Sequence, residues 1–436
     1  MVWLLCLLVA LPLLAGCRAT PGPVPHAASR PPVVVVWVSI DGLRDDYLER
    51  AGPTRAPFLT EMKRRGAFSR QMVPTYPSLT FSVHASQVTG ASVAGHGVPG
   101  NSFYDRQRNE TFSFPQTPEL LKAEPIWAAA TRQGLRVAVF DWPFSNGQTG
   151  PFAAAYFAEK FDNQMTDEQR GKRVIDTMKA DDGAERGAPL VLLMGYADSV
   201  DKAGHAVGPA HPGVIEQLER LDKVMAELHA AAVKYVTDRM PPGTTLYFLV
   251  STDHGMLPVS HLANLRQMAG DALPRDATVV TGGGTGHIFL PDTPQRPEQV
   301  RRLVAALSAH PFARVYTHET LPPQWRMLDP DRVGDVYVDL LPGYTFSSRP
   351  RTPAVALRDA PATRPADRGP LGMHSWDPAE VPQMNGMILV SRFPNDFGGR
   401  DLGRVDARQL APTVAAWLDI LPPAQSELPP VRGLLR

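Results

Sequence analysis

The sequence predicts an α/β fold: a mostly parallel central sheet flanked by helices, with a smaller inserted subdomain. Three observations predict it. Short runs of apolar, β-branched residues recur along the chain; the segments between them are long enough for crossover helices; and carboxylates and histidines follow several of the runs directly.

The elements follow in chain order. Val2 to Gly16 is apolar except for Pro12, too short to span a bilayer and of the length of a signal-peptide hydrophobic region. It ends in Leu14-Ala15-Gly16-Cys17, which resembles a bacterial lipobox, so residues 1–17 are expected to direct export, with Cys17 taking a lipid anchor. The address this implies is the periplasm or cell envelope, lipid-anchored to a membrane. Residues 18–32 are rich in Pro and Ala and are expected to form a semi-extended tether. The catalytic body is then 33–436.

Val33 to Ile40 opens that body with a continuous apolar run, as in a strand buried on both faces. Arg136 to Phe140, Pro189 to Gly195, Thr245 to Val250 and Gly386 to Val390 repeat the pattern, which argues for βαβ units. One crossover helix is explicit: Val214, Leu218, Leu221, Met225, Leu228 and Ala232 recur at helical spacing and belong to the core. The inserted subdomain is placed at about 275–351, on strand-like pieces such as Asp335 to Leu340 and a glycine cluster at Gly282 to Gly284.

Composition narrows the function. Lys plus Arg and Asp plus Glu are equal at 44 each, so no broad basic field exists to bind nucleic-acid phosphates. The only cysteines are Cys6 and Cys17, which leaves the body without a disulfide or thiolate site. Any metal there must use oxygen and nitrogen ligands.

In open α/β sheets ligands gather at the carboxyl ends of strands. There the sequence places Asp41-Gly42, then Asp198, Asp201 and His205, then Asp253-His254-Gly255. Asp and His without Cys are a ligand set for zinc or manganese, and the Asp201-x-x-Gly204-His205 spacing brings two ligands to one ion over a tight turn. Asp198 is the alternative ligand at that end. Singly, Asp41-Gly42 is also a common turn and Asp253 a possible helix N-cap; together they form a constellation.

The ordered motifs Asp41-Gly42, Pro77-Ser78-Leu79-Thr80-Phe81, Val88-Thr89-Gly90, His96-Gly97, Asp201-x-x-Gly204-His205-x-x-Gly208-Pro209, Thr252-Asp253-His254-Gly255-Met256 and Gly372-x-His374 resemble the nucleotide pyrophosphatase/phosphodiesterase family of the alkaline phosphatase superfamily. The resemblance implies an alkaline-phosphatase-like sheet and two Zn²⁺ ions, other divalent metals being alternatives. It assigns one ion to Asp41, Asp253 and His254, the other to Asp201, His205 and His374, and makes Thr80 the metal-bound nucleophile. A threonine hydroxyl is a poor nucleophile, and the sequence offers no histidine–carboxylate relay beside it, so metal coordination is the available activation. Two ions about 3.5 to 4 Å apart can stabilise both ends of an in-line displacement, through a covalent phosphothreonine. Thr80 to Ser86 could open a helix whose free N–H groups face the phosphate, with Thr80 as an N-cap.

The expected partner is a small phosphate ester, for instance a nucleotide; no nucleic-acid binding is expected. His84 and His96 are assigned to packing or loop hydrogen bonds, and His211, His261 and His287 to no motif. The family has an asparagine three residues after the nucleophile where this chain has Val83, which predicts a lost phosphate contact and leaves diester against monoester open. Phe103, Tyr104 and Trp142 are candidates for stacking a base or for packing. The competing functions are a phosphomonoesterase or phosphonate hydrolase of the same superfamily, and an inactive lipid-anchored binding protein.

Overall fold

In Val33–Ile40 every residue is buried, and alternate side chains enter different cores. A computed structural model, which describes residues 32–347, 354–357 and 370–435, makes this run the centre of a nine-stranded sheet. Cys17, the lipobox and nearly all of the tether lie outside the described residues.

The strands are β1 (Val33–Ile40), β2 (Ala67–Val73), β3 (Arg136–Val139), β4 (Tyr156–Phe157), β5 (Leu190–Ala197), β6 (Thr245–Thr252), β7 (Gly386–Phe393), β8 (Arg400–Asp401) and β9 (Arg404–Asp406). Their order is β8-β2-β7-β6-β1-β5-β3-β4, with β9 also on β2. All run parallel except β7, which is antiparallel to both β2 and β6. The run at Gly386 is thus a buried strand, as its composition predicts, but it is not part of a βαβ unit.

Both faces of the sheet are covered, which is why its central strands β1, β5 and β6 are apolar nearly throughout rather than alternating. Val34, Val36, Val38 and Ile40 pack under the helix Pro212–Arg239, whose buried Val214, Leu218, Leu221, Met225, Leu228 and Ala232 form the stripe predicted from their spacing. Val33, Val35 and Trp37 face Ile126, Trp127 and Val414 on the other side. Burying each large aliphatic side chain contributes roughly 1.5–3 kcal/mol, so this two-faced core fixes where the strand ends lie.

Beside the sheet stands a second body with its own core, including Leu265, Ile288, Leu303, Leu307, Val336 and Leu340. Its four-stranded antiparallel sheet joins Thr278–Gly282, Thr285–Phe289, Val336–Leu340 and Ala313–Tyr316, and the helix Arg296–Ser308 packs on it. The described elements of this body begin at His261–Ala263, where a further small sheet pairs with Tyr344–Phe346 and Val355–Leu357. The glycine cluster is its hairpin turn: Gly283 has φ +58° and packs so tightly on the His374 carbonyl that a Cβ would lie 2.6 Å from it. Among the described residues no helix is long and apolar enough to cross a membrane.

Candidate functional site

Strands β5, β1 and β6 are parallel neighbours in register, with Ile40 opposite both Ala197 and Thr252. Their carboxyl ends therefore coincide. β1 delivers Asp41, whose N–H donates to the Ala197 carbonyl at 2.9 Å, and β6 delivers Asp253 and His254. β5 leads into the helix Ser199–Val207, where Asp201 and His205 lie one helical turn apart. The predicted tight turn is thus a helical turn, which puts i and i+4 on one face. His374 comes from far along the chain: Gly372 and Met373 pair antiparallel with Pro258 and Leu257, and this brings His374 beside His254.

The six residues form two groups. Asp41, Asp253 and His254 offer one ligand atom each within 4.8 Å of one another, and so do Asp201, His205 and His374. His254 Nε2 lies 2.9 Å from Asp253 Oδ2 and 3.4 Å from Asp41 Oδ1; Asp201 reaches His205 Nε2 at 3.3 Å and His374 Nε2 at 3.8 Å. Asp198 joins neither group. It is held by Lys202 at 2.9 Å and Arg170 at 3.6 Å.

The hydrogen bonds behind these groups set the ring orientations. His254 Nδ1 donates to the Gly255 carbonyl at 3.0 Å, His205 Nδ1 to Gly372 at 2.7 Å and His374 Nδ1 to Ser78 at 2.8 Å. Each imidazole thereby turns an Nε2 lone pair inward, the arrangement that metal-ligating histidines use. Tyr196 donates its hydroxyl to Asp41 and the Gly42 N–H donates to Asp253. Gly42, at φ +65°, is needed there, because a Cβ would meet Asp201 at 2.9 Å.

One oxygen on each of the three carboxylates, Asp41 Oδ1, Asp201 Oδ1 and Asp253 Oδ2, is buried without a hydrogen-bond partner. Burial, reinforced by Asp253 and Asp201, raises the Asp41 carboxyl well above its ordinary range. Burial opposes ionisation of Asp253 and Asp201 too, but His254 and His205 respectively, the largest attractive partners, hold them below it. Burial and the neighbouring His254 push His374 down to about 3, a neutral lone-pair donor at neutral pH. Three buried carboxylates, each with one oxygen that no donor meets, and inward-facing imidazole lone pairs fit divalent cations.

Thr80 is the first residue of the helix Thr80–Thr89; Leu79 holds the N-cap position in place of Thr80. Its Oγ1 lies 3.3 Å from His254 Nε2, at the positive end of the helix dipole. Two bonds position the approach to it, from His374 Nδ1 to the Ser78 carbonyl and from Ser78 Oγ to the Trp376 carbonyl.

Thr80, Asp41, Asp201, His205 and His374 line a cavity of about 500 Å³. Phe81, Phe114, Phe161 and Trp142 give it aromatic walls, and Asn101, Asn146 and Lys202 polar ones. Of the predicted aromatics, Trp142 lies here. Phe103 is in a small core with Val98 and Leu120, and Tyr104 bonds Asn109 and packs on Phe289.

Val83 is fully buried in the core beside Trp37 and Trp127, so a side chain at that position does not face the cavity, and the contact predicted lost there does not arise from it. The polar group in reach is Asn101, which the sequence reading missed. Its Oδ1 accepts the Phe81 N–H at 2.9 Å, which leaves its Nδ2 as a donor on the cavity wall. A lone asparagine in a loop gives no signal until its contact with the Thr80 segment is seen.

Four further histidines named from the sequence make local contacts away from the two groups. His96 bonds Ser86 at 2.9 Å, His211 caps the helix Pro212–Arg239, His261 stacks on Tyr344, and His287 is buried and accepts the Gly334 N–H.

A family model described as Type I phosphodiesterase / nucleotide pyrophosphatase matches residues 35–377. An uncharacterized pyrophosphatase/phosphodiesterase of Schizosaccharomyces pombe is 28% identical over 404 residues, 90% of this chain and 77% of that protein. Ectonucleotide pyrophosphatase/phosphodiesterase family member 1 of Homo sapiens is 31% identical over 237 residues, 53% of this chain and 24% of that protein, so the chain matches about a quarter of this longer relative. Murine ectonucleotide pyrophosphatase / phosphodiesterase 5 superposes with a TM-score of 0.72 at 21% identity, over 91% of this chain and 96% of that one. An inactive form of the murine protein, in complex with AMP, superposes equally well. At that identity the likeness establishes the fold.

Proposed function

The chain belongs to the type I phosphodiesterase / nucleotide pyrophosphatase family, and from that premise we propose that it hydrolyses phosphodiester or pyrophosphate bonds in nucleotide-like substrates, with Thr80 as nucleophile. The observation that carries this reading is the placement of the Thr80 hydroxyl, 3.3 Å from His254 at the floor of an aromatic-walled cavity, with three buried, unpartnered carboxylate oxygens around it.

Asp41, Asp253 and His254 would hold one divalent cation and Asp201, His205 and His374 the other, zinc suiting this ligand set; when bound they supply positive charge that eases deprotonation of Thr80 and build-up of charge on the leaving oxygen. Thr80 Oγ attacks phosphorus as the bond to the leaving group breaks. The leaving oxygen is protonated from solvent. The Thr80 proton having gone to solvent, water then attacks the phosphorus on Thr80, which still carries the substrate's remaining ester group, returns a proton to the threonine oxygen and releases a phosphate monoester. Asn101 Nδ2 donates to a non-bridging oxygen in both steps, and Phe81, Phe114 and Phe161 hold a planar base.

A panel of a nucleotide diester, a dinucleoside polyphosphate, p-nitrophenyl phosphate and a phosphonate monoester tests the reading. Faster turnover of the first two supports it, and a large preference for the monoester or the phosphonate overturns it. Asn101→Ala is expected to lower kcat on the preferred substrate by about 10²–10³-fold, the usual cost of one preorganised donor. A loss under threefold would remove Asn101 from the site.

The reading extends to the address. Export and a lipid anchor on Cys17 rest on the apolar Val2 to Gly16 run and the Leu14-Ala15-Gly16-Cys17 motif. Metabolic labelling with a radioactive fatty acid, lost in Cys17→Ser, is the test.

A further inference from the structure

The imidazole of His84 belongs to neither metal group, yet it is fully buried against both the nucleophile and the first group. Its Nδ1 lies 2.8 Å from the Thr80 carbonyl and 3.5 Å from Asp253 Oδ2; its Nε2 lies 2.8 Å from Ser39 Oγ. Carbonyl and carboxylate oxygens only accept, so Nδ1 carries the proton, while Nε2 shares a hydrogen bond with the Ser39 hydroxyl. Ser39 is two residues before Asp41 on β1. One ring therefore ties three separate pieces together: the strand that delivers Asp41, the first turn of the Thr80 helix, and the Asp253 carboxylate. Trp142 and Tyr196 meet it edge-on, at 5.2 and 5.4 Å between centroids, and prevent it from turning.

We propose that His84 is a positioning residue: through its Nδ1–H it sets the distance between the Thr80 hydroxyl and the Asp41–Asp253–His254 group without touching substrate. This rests on the assignment of Thr80 as nucleophile. A misplacement of about 1 Å at a reacting group can cost about 10²-fold in rate, so a clip of this kind has a measurable effect.

Two replacements separate its two bonds. An asparagine amide can place a donor where Nδ1 stands, whereas a glutamine amide reaches the Nε2 position and gives up the bond to Thr80. His84→Asn is expected to retain kcat within about tenfold, and His84→Gln to lose about 10²-fold in kcat, with KM and bound-metal stoichiometry unchanged in both. Equal losses in the two variants, or a loss that follows metal content, would overturn the proposal. The metal-free, unmutated protein gives a second readout: long-range ¹⁵N–¹H correlation of the His84 ring is expected to report a proton on Nδ1. A ring with no proton on Nδ1 sinks the proposal whatever the variants do. Because this measurement needs no substrate, it still tests the clip if the unmutated protein proves inactive on diesters, a result that would count against Thr80 chemistry instead.

Discussion

Thr80→Ala is expected to reduce hydrolysis of the preferred diester by about 10⁴–10⁶-fold while leaving fold and metal content unchanged, the scale of loss when a covalent nucleophile is removed. The side chain is small and its Oγ1 makes a single polar contact, to His254. Alanine is the better helix former at the first position of Thr80–Thr89, so the helix should survive. What disappears is the atom that bonds phosphorus. Two measurements check this: steady-state kcat, and the intact mass of acid-quenched enzyme, which should show one added nucleotidyl group on the unmutated protein turning over a nucleotide diester and none on the variant. Thr80→Ser should keep both at reduced rate. A Thr80→Ala protein that retains a tenth of the activity would show that water attacks directly and that Thr80 is not the nucleophile.

The groups were legible in the sequence because each of their carboxylates and two of the histidines follow strands whose apolar runs are unambiguous, such as Val33–Ile40 and Thr245–Thr252. Their meeting follows from parallel register, which puts such ends side by side. His374 was legible only through its motif, since nothing local predicts that Gly372 and Met373 pair with Pro258 and Leu257. Strand Ala67–Val73 was missed: its buried residues alternate with Arg70 and Gln71, so it carries no continuous apolar run. The antiparallel direction of Gly386–Phe393 was equally hidden, because a strand buried on both faces has the same composition in either direction. Asn101, Phe114 and Phe161 come from loops whose positions depend on tertiary contacts, and Val83 shows the converse. A motif position can be matched in sequence while its side chain points into the core.

The second large effect is on the metals. A strong chelator is expected to abolish activity, and zinc to restore it, with stability changing in step. Without cations, Asp41, Asp201 and Asp253 each bury an oxygen that no donor meets, and Asp41 is raised by burial and by its two neighbours, so the charged form of this cluster is costly in the native state. A ligand that binds only the folded chain stabilises it by about 4 kcal/mol at a thousand times its Kd. For a chain of this length that corresponds to a rise of about 5 °C in Tm. The two groups should separate by mutation. Asp201→Asn removes the carboxylate that reaches both His205 and His374, and should halve the bound zinc and lower kcat by about 10³-fold or more, because one end of the displacement loses its counter-charge. Asp198→Asn is the control: three residues away and beside the same cavity, it is paired with Lys202 and Arg170 and should keep full zinc stoichiometry. If the two variants lose metal equally, the helix Ser199–Val207 presents a different ligand from the one its geometry indicates. If neither does, and chelation leaves Tm and activity unchanged, the buried carboxylates are satisfied some other way and the two-cation chemistry falls.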